Sequence, residues 1–160
     1  MFKFADLQYI PIQLASGIIN VPICSKAVWE QICLYKSADV ACGMLVNDIP
    51  QSLPDKLVLV QAYKDSVLKI KEDLQLNIPY YPCKVDKDDI KYTIYTYPDK
   101  MVSDYAGLSI YDVDNISILE YWLLLRDAFI YKLAQTKDGR EYLNNAYRLT
   151  QTEADEDIEL

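Results

Sequence analysis

Leu7-Gln-Tyr-Ile-Pro-Ile-Gln-Leu14, Ala15-Ser-Gly17 and Ile18-Ile-Asn-Val-Pro-Ile-Cys24 are the residues on which the fold class turns. Two β-rich runs divided by a short glycine-containing turn predict a β-hairpin over 7–24. Each run holds a proline between branched residues, Pro11 and Pro22. Proline has no N–H for a ladder, so both positions are expected on open edges or at bulges. A two-stranded ribbon is marginal alone and has to lie on helices or on another chain.

Downstream, helical signals take over across 25–76. Ser25 is placed to cap a short helix ending near Lys36, with Val28, Ile32 and Tyr35 as its buried stripe. Ser37 opens a second short helix through Val46, and Asn47-Asp-Ile-Pro50 breaks it. From about Leu53 to Leu76, with Ser52 as cap and Pro54 in the first turn, Val60, Tyr63, Val67, Ile70 and Leu74 step by three and four residues. That spacing is an a/d seam two heptads long, suited to core packing or to a partner helix.

Residues 78–98 change character. Half of the fourteen tyrosines fall between Ile78 and Tyr111. The runs 79–85 and 90–97 flank the charged loop Asp86-Lys-Asp-Asp89 and predict a second hairpin. The loop has the acids of a calcium loop without its turn glycine or closing glutamate, so it reads as a solvated turn. An αα-hairpin is expected over 115–149: Ser117-Ile-Leu-Glu120 has capping-box spacing and opens a helix to about Thr136, and Asp138-Gly-Arg-Glu141 opens a shorter one to about Leu149. After Gln151, five acids within seven positions read as a flexible tail over 151–160, dispensable for folding and open to a basic partner. The fold class is therefore α+β: a helical core, one or two hairpins and a C-terminal αα-hairpin, in a single domain over 1–150.

Composition limits the function. Of 160 residues, 24 are acidic and 16 basic, for a net charge of −8. Residues 1–80 are nearly balanced, with 8 acids and 7 lysines, whereas 81–160 hold 16 acids and 9 bases. Such a chain has no electrostatic footprint for nucleic acid or for anionic lipid, which leaves protein partners. The longest apolar run, Tyr121 to Leu125, is far too short to span a bilayer, and the N-terminus lacks a signal peptide's pattern. The expected location is the cytoplasm.

Catalysis finds little support. There is no histidine, which removes the usual proton shuttle and the commonest metal ligand. Cys24, Cys33, Cys42 and Cys83 show no metal or redox spacing and read as small buried hydrophobes. Asp88 and Asp89 have no apolar wall to raise a pKa, and the glycines at 17, 43, 107 and 139 make no phosphate loop. No cofactor and no metal are expected.

On a helical wheel of 117–136, Arg126 falls in the apolar face between Leu119 and Leu133. A guanidinium there has to be paired, in a structural ion pair with one of the abundant acids or with a partner molecule, unless it snorkels to a groove edge. Arg126, its helix neighbours Trp122 and Phe129, and Tyr95 and Tyr97 of the tyrosine-rich stretch are the residues read as partner-binding, because large aromatic side chains and arginine are enriched at interfaces.

The stretch Leu124-Leu-Arg-Asp-Ala-Phe-Ile-Tyr-Lys-Leu-Ala-Gln-Thr-Lys-Asp-Gly-Arg-Glu-Tyr-Leu143, followed by Arg148-Leu-Thr-Gln-Thr-Glu153, resembles small structural and assembly proteins of tailed bacteriophages over about residues 117–153. The resemblance implies a tail-assembly chaperone or a connector or baseplate component, active in the host cytoplasm during assembly or carried in the virion, and binding other virion proteins or further copies of itself. Two other classes stand beside it: an acidic inhibitor or regulatory adaptor that binds a host protein, and an enzyme of unrecognised type.

Overall fold

Alternation at the N-terminus acts as its period dictates: Ile10, Ile12 and Leu14 are buried, and Tyr9, Pro11 and Gln13 between them are exposed. In the computed structural model of the protein, which describes residues 7–34, 37–82 and 94–156, they form strand β1 (Tyr9–Leu14). It pairs antiparallel with β2 (Gly17–Pro22) across Ala15-Ser16. Ile23 N–H donates to Gln8 O at 3.0 Å, which sets the alternation of the ladder. Pro11 and Pro22 then fall at positions whose N–H would point away from the partner strand, so neither removes a ladder bond.

Helices α1 (Lys26–Leu34), α2 (Ala38–Leu45), α3 (Leu53–Asp73), α4 (Tyr97–Ala106), α5 (Ile118–Ala134) and α6 (Lys137–Glu156) follow, with a 3-10 turn at Val113–Asn115 before α5. The protein is thus α+β, a hairpin with a helical core. The serines that open α1, α3 and α5 cap as their spacing predicts. Ser25 Oγ accepts from Val28 N–H at 3.4 Å, Ser52 Oγ from Asp55 N–H at 3.2 Å and Ser117 Oγ from Glu120 N–H at 3.2 Å.

The chain was read as one domain over 1–150, but its contacts gather in two compact units. The first is Met1–Leu76 with Ser109–Leu123, the second Asn77–Leu108 with Leu124–Leu160, and α5 contributes residues to both. The core of the first unit joins the hairpin's inner face to Trp29 and Ile32 of α1, Ala41, Cys42 and Leu45 of α2, and Leu59, Tyr63 and Val67 of α3. The seam read on α3 faces inward: Tyr63 and Val67 are buried, and Val60, Ile70 and Leu74 are half-buried. Leu59 joins them one turn below Tyr63. On α1 the stripe is rotated by a residue, since Trp29 rather than Val28 is the buried side chain, and Tyr35 lies outside the described residues.

Tyr63 closes this core. Its hydroxyl accepts from Cys24 N–H at 2.9 Å and donates to Pro22 O at 3.0 Å, satisfying the backbone where β2 ends. Burial pushes the Tyr63 phenol far above its usual range and also raises the Cys24 thiol, so both stay protonated. A two-residue bridge, Ser25 against Ser117, then starts two helices side by side. Lys26 N–H donates to Ile116 O at 2.9 Å and Ile118 N–H to Cys24 O at 3.0 Å. Beside that bridge the Lys26 ammonium is buried, 2.9 Å from Asp114 and 3.1 Å from Glu30, with the Tyr121 ring centroid at 5.3 Å.

The second unit buries only small apolar side chains completely among its described residues: Val102, Ala128 and Ala146. Gly107, at φ +69°, ends α4, and Leu108 N–H returns to Ser103 O. Between α5 and α6 the connection is Gln135-Thr136. Thr136 Oγ1 accepts from Gly139 N–H at 3.0 Å, so α6 is capped by Thr136 and not by Asp138. Phe129 of α5 meets Tyr142 of α6, ring centroids 6.3 Å apart, and the Tyr142 hydroxyl accepts from Tyr81 N–H at 3.0 Å.

Three expectations are corrected here. Most of the second hairpin, with Cys83, Asp88 and Asp89, lies outside the described residues. Its described flanks are not strands, because 77–82 carry no ladder and Tyr97 begins α4. Thr96, Pro98 and Asp99 form a helix start that overrides the β-propensity of Ile94 and Tyr95. The helix read as ending near Leu149 continues to Glu156, into the stretch read as a flexible tail, since Gln, Glu and Ala in 151–156 are good helix formers. Of the cysteines, Cys24 and Cys42 are buried as expected but Cys33, in the last turn of α1 beside exposed Leu34, is exposed.

Candidate functional site: a tyrosine-lined groove

One face of α4 carries a tyrosine at each end. Tyr97, Lys100, Met101, Asp104 and Tyr105 recur at i, i+3, i+4, i+7 and i+8 and share a stripe, while Val102 and Ser103 turn to the buried side. Against this stripe α5 sets Ala128, Tyr131, Lys132 and Gln135, which share a stripe of their own. Between the two helices lies an open groove of about 570 Å³ within the second unit. Ala128 is buried at its floor, and the small side chain is what leaves the space.

The walls are aromatic and partly charged. Tyr105 and Tyr131 stand with ring centroids 5.8 Å apart, tilted by 56°, and are 44% and 61% exposed. The Lys132 ammonium lies 4.7 Å from the Tyr97 ring centroid and donates to the Tyr97 hydroxyl. Lys100 pairs with Asp104 one turn along α4. The side chains thus offer flat apolar area with hydroxyl and charged tips at the rim, the chemistry of a protein contact surface. They supply no activated nucleophile, and among the described residues no three His, Cys, Asp or Glu side chains cluster as metal ligands.

The structure does not bring the five sequence-read partner residues together. Tyr97 lines the groove. Tyr95 lies in the turn that leads into α4 and is 87% exposed. Phe129 packs on Tyr142, on the side of α5 away from the groove. Trp122 belongs to the first unit, edge-on to Trp29 at 5.4 Å and capped by the Lys71 ammonium at 4.7 Å. Arg126 also lies away from the groove. It is half-buried, not enclosed, and forms an ion pair at 2.9 Å with its neighbour Asp127.

Tyr105, Tyr131 and Lys132 were not read from the sequence as site residues. The i, i+4, i+8 series Tyr97, Met101, Tyr105 marks one wall, but it is visible only once Tyr97 is placed on a helix. A second cavity, of about 600 Å³ in the first unit, runs beside β2 and the segment after α2, and Tyr9, Ile19, Pro22, Met44 and Val46 line it. No family model matches the chain, and no curated protein or solved structure matches it either. Among the described residues no helix is long and apolar enough to cross a membrane.

Proposed function

We propose that the protein is a non-catalytic binding component that works by contacting other proteins through the tyrosine groove of its second unit, and that its setting is the assembly or the particle of a tailed bacteriophage. The observation that carries the reading is the inversion of the second unit. Among its described residues the buried apolar side chains are a valine and two alanines, whereas Tyr80, Tyr95, Tyr97, Tyr105, Tyr131 and Tyr147 are exposed. Rings of this size left in water amount to area that a partner can bury, and tyrosine gives up few rotors on doing so. The phage setting rests on the resemblance of about 117–153 to virion assembly proteins, and the acidic second half favours a partner with a basic surface.

The test is recovery of partners from the cells that make the protein, with the products of neighbouring genes as candidates. A tagged wild-type chain is expected to retain a particle or assembly protein, and Tyr105→Ala/Tyr131→Ala to lose it at least about tenfold, on the scale of two interface aromatics. Both positions are solvent-exposed, so the helix signal should be unchanged. Equal recovery by the folded variant would contradict the reading.

A further inference from the structure

We propose that the groove's occupant is a second copy of this chain, with α4 lying antiparallel on α4 about a two-fold axis near Met101; the inference rests on reading the groove as a protein contact. The stripe Tyr97, Lys100, Met101, Asp104, Tyr105 has nearly the same chemistry read from either end. Turned end for end at the level of residue 102, one position past Met101, it sets each Lys100 opposite the other copy's Asp104 and brings Tyr97 against Tyr105, and Met101 against Met101, with an offset of about 3 Å of helix rise. Lys100 and Asp104 share one flank of α4, and a two-fold axis perpendicular to both helices keeps like flanks together. Lys100 of each copy therefore meets Asp104 of the other.

Charge complementarity decides the direction. A parallel pairing would set lysine on lysine and aspartate on aspartate, whereas the antiparallel one forms two reciprocal ion pairs. The stripe carries no net charge, so the contact escapes the repulsion expected between two chains of −8. Exposed ion pairs set register more than affinity, and the tyrosine rings around Met101 supply the buried area. A contact of this kind is isologous and closes at two copies.

Sedimentation of the full chain over a range of concentrations tests this directly. The wild type is expected to associate reversibly to a dimer. Lys100→Asp and Asp104→Lys should each weaken self-association at least about tenfold by setting like charges together twice. An equimolar mixture of the two single variants should associate again to near the wild-type extent, because each acid of one copy then meets a lysine of the other. The mixture does not restore the pair within either helix, so its recovery reports the interface and also shows that both variants are folded. A monomeric wild type, or single variants that dimerise like it, or a mixture that stays monomeric, overturns the proposal. Loss or retention of a different partner in Tyr105→Ala/Tyr131→Ala is read separately and decides the wider reading of the groove.

Discussion

Lys26→Glu is expected to lower the stability of the first unit by about 3–5 kcal/mol, the scale on which an uncompensated charge is buried. Lys26 is 4% exposed, and its ammonium serves two acids at once, Asp114 across the bridge from α1 and Glu30 one turn along it. A carboxylate at that point faces both acids and the Tyr121 ring without water to screen it. Against a total stability of about 5–15 kcal/mol the loss is large. Lys26→Met should be close to neutral, because Asp114 and Glu30 are more than half exposed and regain water when the ammonium is removed. The measurement is a denaturant titration followed by tryptophan fluorescence. Both tryptophans of the chain, Trp29 and Trp122, pack edge-on in this unit, so the signal reports it alone. Equal losses for the two variants would show that packing of the side-chain stem, and not charge, is what matters.

Gly139→Ala should destabilise the second unit, although the same change in a helix interior ordinarily stabilises by up to about 1 kcal/mol. A Cβ at position 139 would lie 2.0 Å from Leu133 O and 2.7 Å from its carbonyl carbon. Both are backbone atoms at the end of α5, so neither can rotate aside. The cost of forcing the α5–α6 corner apart is expected at about 1–3 kcal/mol, as for other overpacked sites. Far-UV circular dichroism during thermal melting checks the sign. A raised midpoint would mean that the two helices do not approach at Gly139 as closely as the structure has them.

How much of this was legible in the sequence follows from how local each signal is. Caps are local, and Ser25, Ser52 and Ser117 fall where their spacing puts them. The hairpin was legible because alternation and proline placement agree over Tyr9–Pro22. The α3 seam was legible too, since Tyr63 and Val67 carry the period unaided. What failed was long-range or contested. Tyr92-Thr-Ile-Tyr95 reads as strand, and only the Thr96-Tyr-Pro-Asp99 start signal competes with it; that conflict hid α4 and with it one wall of the groove. The wheel put Arg126 within the apolar face because it assumes one partner surface along the whole of α5, and of the readings open there the ion pair with an acid of the chain is the one found. The helix instead serves two units, and Arg126 emerges half-buried beside Asp127. Lys26 next to Asp114, 88 residues on, has no local signature at all.

The most direct measurement of the central claim, that the groove is a protein contact, is photo-crosslinking in the cells that make the protein. A photoreactive phenylalanine derivative is placed either at Tyr131, inside the groove, or at Tyr111, which is 85% exposed and outside it. The account predicts discrete crosslinked species from position 131, the second copy among them, and none from position 111. Crosslinks of equal yield from the two positions, or none from position 131 with the chain folded, would contradict it.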